Sequence, residues 1–271
     1  MGALVLPAVY TLVIWWASTA LIVFFDLLPP RTFPWTFGGL SLALLGSLAG
    51  VYATRDDTSI TGVYIAFACG MVAWGWQIAG FYMGIITGPR RSACPADARG
   101  MRRFRYGVGV VLYHEIATVG VGILILLLTG TGKNAFALWS YEVLCVMHLL
   151  AKLNVFFGVR NLSEAFVPMH ARYLCSYFRR RPMNEIFPLS ITLATILMVV
   201  LAQQALAAGA PAYAVAGYTM LTTIVALGAL ELWLLVVPIP LPLWDWVVTL
   251  TARYGAGGAA VRPESAPGDA R

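Results

Sequence analysis

Seven long apolar stretches constrain this chain more than any other feature of its sequence. A helix needs about 20 mostly apolar residues to cross a bilayer, and each stretch has that length. The stretches cover 4–25, 35–54, 61–87, 107–129, 135–157, 186–208 and 213–236. Only 11% of the 271 residues are charged, against about 25% in soluble globular chains. The sequence therefore predicts an all-α, polytopic membrane bundle of about seven transmembrane helices.

The C-terminal end of the chain does not continue this pattern. The stretch IPLPLWDWVVTL at 239–250 is too short and too proline-rich to span, so we expect an interfacial helix there. Residues 253–271 are rich in Gly, Ala and Pro, which predicts a disordered tail. The predicted organisation is one transmembrane helical domain over 1–252, followed by a disordered C-terminal tail over 253–271.

Basic residues are distributed unequally between the two sides of the predicted bundle. One side holds Arg31, Arg90, Arg91, Arg99, Arg102, Arg103, Arg105, Arg160, Arg172, Arg179, Arg180, Arg181, Arg253, Arg262 and Arg271. The connections on the other side hold only Arg55 and Lys133. Connections rich in Lys and Arg stay in the cytoplasm. The prediction is therefore a periplasmic N-terminus and a cytoplasmic C-terminus.

A polar, arginine-rich segment follows the fifth span directly. Residues 151–184 read AKLNVFFGVRNLSEAFVPMHARYLCSYFRRRPMN. A proline is tolerated in the first turn of a helix, so Pro168 can begin one, and Pro182 would end it. Met169, Tyr173 and Tyr177 would then form one stripe at i, i+4 and i+8. This pattern predicts a cytoplasmic interfacial amphipathic helix with its apolar face on the membrane.

Two interpretations of this segment remain open. It either anchors the topology alone, or it forms a basic surface that docks a partner or an anionic pigment precursor, because guanidinium groups bind carboxylates well. The candidate cytoplasmic docking residues are Arg160, Asn161, Glu164, His170, Arg172, Arg179, Arg180 and Arg181.

Ionisable side chains also occur within the apolar stretches, where each is costly unless it has a partner. From their positions in antiparallel spans, we expect five of them to form one intramembrane polar layer in the cytoplasmic half of the bundle. These residues are His114, Glu115, His148, Lys152 and Glu231. Glu142 is expected about 9 Å deeper than His148 at 1.5 Å per residue, and Gln77 lies near mid-depth.

Several functions are compatible with such a layer. Lys152 could pair with Glu115 or Glu231 while the histidines bond between helices, or a histidine could be an axial ligand of a tetrapyrrole metal. A metal enzyme is less favoured, since neither Glu-x-x-His pairs nor HExxH occurs, so no metal ligand is assigned. The four cysteines lack ligand spacing and are expected to be small core residues. A transporter lacks the expected repeats, and hydrolase or NTPase motifs are absent from the sequence.

Four parts of the sequence are distinctive together: YHE at 113–115, the segment 151–184, FPLS at 187–190 and LELWLLVVPIP at 230–240. In these parts the sequence resembles the PuhE family, photosynthetic complex assembly proteins of anoxygenic phototrophic bacteria. The resemblance implies a multi-pass protein of the inner or intracytoplasmic photosynthetic membrane. Its partners would be the lipid bilayer and reaction-centre subunits, core-antenna subunits or other assembly factors, and no nucleic acid.

This resemblance implies no catalytic residue. The leading hypothesis is a non-enzymatic factor that assembles the reaction centre and core antenna, or modulates bacteriochlorophyll supply to them. The alternative is a membrane enzyme or tetrapyrrole-binding protein that acts on a bacteriochlorophyll intermediate. Bacteriochlorophyll or a precursor is the candidate cofactor, and whether the protein is an enzyme stays open.

Overall fold

The computed structural model describes residues 2–162, 164 and 167–238, and this part is built of helices. Two 3-10 helices, Pro30–Thr32 and Met169–Tyr177, accompany seven α-helices. The α-helices are α1 (Gly2–Asp26), α2 (Phe33–Thr54), α3 (Ile60–Tyr82), α4 (Gly100–Thr129), α5 (Phe136–Phe157), α6 (Phe187–Ala205) and α7 (Ala212–Val236). All seven are long and apolar enough to cross a membrane, which confirms the predicted polytopic bundle.

Helices α3 and α5 form the centre of the bundle. About half of each apolar window is buried within the protein, 56% in α3 and 50% in α5, against 11% in α1. Small residues allow the two central helices to approach closely. A Cβ atom at Gly70 would lie 2.3 Å from the carbonyl oxygen of Ala137. In the same place the Ser140 hydroxyl donates a hydrogen bond to the Phe67 carbonyl at 3.2 Å, as is common where small residues join membrane helices.

Hydrogen bonds and packing join the connections between the helices into two sets, one at each end of the bundle. At one end, the Asn134 backbone N–H donates to the Arg55 carbonyl at 2.7 Å, next to Lys133. At the other end, Arg90 and Arg103 both bond to Tyr177, which joins the connections that carry most of the arginines. The described arginines therefore concentrate at one end of the fold, here called the arginine-rich end. Its cytoplasmic location remains a prediction.

The α3–α4 connection (83–99) does not extend the third span to residue 87, as the sequence predicted. Helix α3 ends at Tyr82, and the chain then runs back along α4. The Thr87 carbonyl accepts from the His114 N–H at 2.8 Å, and the Arg90 N–H donates to the Gly109 carbonyl at 3.0 Å. These bonds satisfy peptide groups that an extended chain would leave unpaired near the bilayer.

Glycine permits this contact between the connection and α4. A Cβ atom at Gly88 would lie 2.2 Å from the Gly109 carbonyl oxygen, so no larger residue fits without movement. The apolar run that suggested a longer span therefore reflects packing against α4. The predicted interfacial helix at 239–250, the tail at 253–271 and hence the domain boundary lie outside the described residues.

Candidate functional site

Two histidines meet between α4 and α5 in the interior of the bundle. The ring centroids of His114 and His148 are 6.2 Å apart in an edge arrangement. Only 2% of His114 is exposed. The Nδ1 atom of His114 and the Nε2 atom of His148 are buried and have no hydrogen-bond partner among the described residues. Buried polar atoms usually have partners, so these two nitrogens require an explanation.

An ion pair lies beside the histidines. The Lys152 ammonium donates to a carboxylate oxygen of Glu115, which joins α5 to α4. The side chains retain 24% and 34% exposure, respectively. Glu115 is one of the two partners that the sequence suggested for Lys152. The pair neutralises two charges that would be costly as separate ions within a bilayer.

Further polar side chains fix α3 and α5 against α4. The Gln77 side-chain amide donates to the Ala117 carbonyl at 3.0 Å, and the Tyr141 hydroxyl donates to the Thr118 carbonyl at 2.8 Å. The Oε1 atom of Gln77 is buried and has no partner in the described part of the chain. This part of the bundle therefore contains hydrogen bonds that hold α3 and α5 against α4. It also contains buried polar atoms without a partner, which could bind a guest molecule.

Glu231 lies apart from the other four residues of the expected layer. It is exposed on α7 and forms no ion pair with Lys152. Glu142 is also separate from the ion pair, because its carboxylate faces Gly122 of α4. The layer is thus a four-residue cluster of His114, Glu115, His148 and Lys152.

The chemistry of this cluster is limited to two imidazoles and one ion pair. Within the described ranges, no three His, Cys, Asp or Glu side chains converge as a metal site would require. Two imidazole nitrogens could still act as ligands to a metal that brings its other donors with it, such as a tetrapyrrole metal. Ligation of such a metal by His114 or His148 stays a prediction.

The segment after Pro168 differs from the predicted amphipathic α-helix. Met169–Tyr177 is a 3-10 helix, which repeats every three residues. Its buried face is Ala171, Leu174 and Tyr177, and it packs on Phe81 and Val110. Met169, expected on the apolar face, is 79% exposed. The predicted stripe of Met169, Tyr173 and Tyr177 was therefore wrong, because a 3.6-residue period was assumed.

His170 holds this 3-10 helix to the end of α3. Its Nε2 atom lies 2.7 Å from the Tyr82 carbonyl oxygen, one of the carbonyls that a helix end leaves without a partner. Its ring also contacts Phe33 edge-on, at 5.7 Å between centroids. In the same 3-10 helix, partial burial raises the pKa of the Cys175 thiol, so this cysteine stays protonated at neutral pH. His170 thus has a local structural contact, whatever else it binds.

Residues 160 and 161 cap the end of α7. Their backbone N–H groups both donate to the Leu235 carbonyl, at 3.1 and 3.0 Å. The Asn161 side-chain amide donates to the Leu234 and Val237 carbonyls at 2.7 and 2.8 Å. These bonds satisfy helix-terminal carbonyls from a distant part of the chain. The Arg160 side chain remains exposed.

The arginine run is held in place by its backbone. The Val159 N–H donates to the Arg179 carbonyl, and the Arg181 N–H donates to the Val159 carbonyl, both at 3.1 Å. Arg180 forms an ion pair with Glu164 at 3.1 Å, and Arg181 forms one with Glu185 at 3.5 Å.

Arg172 is exposed on the 3-10 helix. The structure thus brings the predicted docking residues to one end of the bundle, although their role in docking stays a prediction.

Two arginines that the sequence analysis used only for topology are central to this end. Arg103 is 6% exposed and donates to the carbonyls of Phe156 and Tyr177. Arg90 donates from Nε to the Tyr177 hydroxyl at 2.8 Å and stacks on the Tyr106 ring at 4.3 Å. Aromatic faces attract guanidinium groups, but the aromatic partners of both arginines lie in other parts of the chain, so the local sequence gave no signal for these contacts.

A buried asparagine network was also missed. The Asn184 side-chain oxygen accepts from the N–H groups of Ile186 and Phe187, at 2.8 and 3.1 Å, and so caps the start of α6. Its amide donates to the Asn154 side-chain oxygen at 3.0 Å. Asn154 in turn donates to the Ser190 hydroxyl at 2.9 Å. The polar residue at the end of the fifth span therefore joins α5 to α6.

Comparison with known proteins places the chain in a family. A family model described as a protein of unknown function, DUF3623, matches residues 1–254. The chain belongs to the DUF3623 family. A relative from Rhodobacter capsulatus, described as an uncharacterized 30.4 kDa protein in the puhA 5' region, is 35% identical over 249 residues. The aligned region covers 90% of each chain, and no solved structure matches this protein.

Proposed function

We propose that this multi-pass membrane protein is an assembly factor for the bacterial photosynthetic complex. The puhA-region name of the Rhodobacter capsulatus relative supports a photosynthesis-related role, and the resemblance to the PuhE family points to reaction-centre and core-antenna assembly. The observation that carries the proposal is the arginine-rich end. There, backbone hydrogen bonds hold several exposed guanidinium groups on one surface.

A fixed basic surface suits a docking role better than a mobile one. Residues 159–161 and 179–181 are tied to each other or to α7 through the backbone, so less conformational entropy is lost when a partner binds. The exposed side chains of Arg160 and Arg172 are available for carboxylates. The proposed partners are acidic segments of reaction-centre or core-antenna subunits, or other assembly factors, in the inner or intracytoplasmic membrane.

A paired substitution tests this docking role. Arg160→Gln with Arg172→Gln removes two exposed charges and leaves the backbone bonds intact. The control, Arg55→Gln with Lys133→Gln, removes the same charge at the opposite end. In a phototrophic host that lacks the native gene, we expect the first variant to accumulate normally but to lower core-complex absorbance and co-purification of reaction-centre subunits. Equal complementation by both variants would refute docking through this surface.

The histidine pair supports a second candidate function, binding of bacteriochlorophyll or a precursor. Its motivation is the buried, unpartnered nitrogens of His114 and His148. Absorbance and elemental analysis of protein purified from phototrophic membranes test it, with His148→Phe as the variant that removes a ligand. Stoichiometric pigment that the variant loses would support binding, whereas colourless wild-type protein that still captures reaction-centre subunits would favour a scaffold.

Enzymatic action on such a pigment requires a separate test. A Glu115→Gln strain that accumulates a bacteriochlorophyll intermediate would support it. An unchanged pigment profile, together with normal abundance of the variant, would contradict it.

A further inference from the structure

A groove lies between the start of α4 and the end of α5 at the arginine-rich end. It has a volume of about 330 Å³. Its lining residues are Gly100, Met101, Arg103, Phe104, Phe156, Phe157 and Arg179. We call it the α4–α5 groove. It is separate from the His114–His148 pair, which lies further along α4.

The groove contains positive charge without a matching carboxylate. The Arg103 guanidinium is almost fully buried, lies 4.1 Å from the centre of the Phe156 ring, and bonds only to carbonyl oxygens. Arg179 lines the same groove, so two guanidinium groups of like charge meet there with no carboxylate among the described lining residues. Among the described residues, neither Arg103 nor Arg179 forms an ion pair, and the acidic side chains of Asp97, Glu164 and Glu185 pair with other arginines. A buried cation without a counter-ion is costly, so a bound anion would stabilise this arrangement.

Most of the other lining residues are aromatic. Phe104 and Phe156 contact each other edge-on at 5.9 Å between ring centres, and Phe156 contacts Phe157 at 5.3 Å. These residues mark the ends of two spans, where the hydrocarbon core gives way to headgroups. The ligand that fits both parts of the lining carries an anionic group on an apolar body.

We propose that the α4–α5 groove binds an anionic phospholipid. Arg103 and Arg179 bind its phosphate, and the phenylalanines contact the first methylene groups of an acyl chain. Arginine binds phosphate oxygens through directed, charge-assisted hydrogen bonds. Free inorganic phosphate has the same charged group but would not use the aromatic lining. Lipid binding can be measured on the purified protein, whether or not the protein is an assembly factor.

The test uses full-length protein, purified in a non-ionic detergent and studied by native mass spectrometry. Short-chain phosphatidylglycerol is titrated, with phosphatidylcholine and inorganic phosphate as comparison ligands. Arg179→Gln removes one groove cation without removing a hydrogen bond found in the structure. We expect it to weaken phosphatidylglycerol binding about tenfold, as loss of a charge-assisted contact predicts. Arg105→Gln, on the same helix but outside the lining, is the control and should change binding less than about twofold, since an exposed side chain without direct contact to the ligand adds little.

Phe104→Ala separates lipid from free phosphate. This residue is 38% exposed, so the change should not unfold the protein. It should weaken phosphatidylglycerol binding and leave any phosphate binding unchanged. Equal binding of phosphatidylglycerol and phosphatidylcholine, or equal losses in the Arg179 and Arg105 variants, would overturn the proposal. Phosphate binding as tight as lipid binding would show an anion site without lipid, and would also overturn it.

Discussion

Replacement of Lys152 by methionine tests the Lys152–Glu115 ion pair directly. Methionine is an unbranched side chain of similar length that removes both the ammonium charge and its hydrogen bond, so Glu115 would remain as an unpaired carboxylate between α4 and α5. Glu115→Gln in the same chain removes that remaining charge. The comparison of single and double variants therefore separates the cost of an unpaired ion from the loss of the lysine side chain itself.

The expected magnitude follows from the position of the pair. Breaking a buried pair costs about 3–5 kcal/mol, and a single carboxylate at the centre of a bilayer costs about 3 kcal/mol. The partial exposure of both side chains argues for a value below these limits, so we expect Lys152→Met to lower the free energy of unfolding by about 2 kcal/mol. The double variant should regain more than half of this loss, because two neutral side chains remain.

The assay is reversible unfolding of the purified protein in mixed micelles with increasing SDS, together with its abundance in membranes. Arg181→Ala is the control, because its pair with Glu185 is at 3.5 Å with side-chain exposures of 44% and 82% and should contribute little. Equal stability and abundance of the Lys152→Met and Arg181→Ala proteins would refute the reasoning. A double variant less stable than the single one would refute it as well.

Three further predictions concern the connections. Asn184→Ala should lower the free energy of unfolding by about 2 kcal/mol, because it removes a helix cap and an interhelical hydrogen bond. In the same SDS titration, Asn161→Ala should lower the free energy of unfolding by about 1 kcal/mol. Asn161→Ala should also speed amide hydrogen exchange at the end of α7 but not at the start of α6, and the reverse pattern would contradict the assigned caps. Hydrogen bonds from Ser59 lower the pKa of Asp57 below its ordinary value of 3.8, so this carboxylate stabilises its loop above that pH and ceases to do so as the pH falls through the lowered pKa. The protection factor of the Ser59 amide, which corrects for the intrinsic pH dependence of exchange, should fall through that acid range in the wild type and show no such transition in Asp57→Asn.

Most of the fold could be predicted because its signal is local. Long apolar stretches identify membrane spans regardless of how the helices pack, and all seven predicted spans correspond to helices. The third span was predicted too long, because residues 83–87 are as apolar as a span. The next residues, Gly88 and Arg90, contact Gly109 of α4, and no local pattern reveals that contact.

The candidate site was only partly predictable for a related reason. Residue spacing gave the depth of Glu115 and Lys152 but not the direction in which each helix faces. Glu231 was therefore grouped with them, although it lies on an exposed side of α7. The roles of Asn161 and Asn184 depend on contacts between residues distant in sequence, and a short polar residue in a loop gives no sign of such a partner.

The bonds of Arg103 have a consequence for biogenesis. Its partners, Phe156 and Tyr177, are synthesised 53 and 74 residues later. The ribosome must therefore complete α4 and add α5 and the 3-10 helix before the guanidinium is enclosed. A truncated or stalled product would present that cation openly to lipids and proteases. The bonds of Arg103 can therefore form before α6 and α7 are synthesised, whereas the cap that residues 160 and 161 place on α7 must wait for the end of that helix.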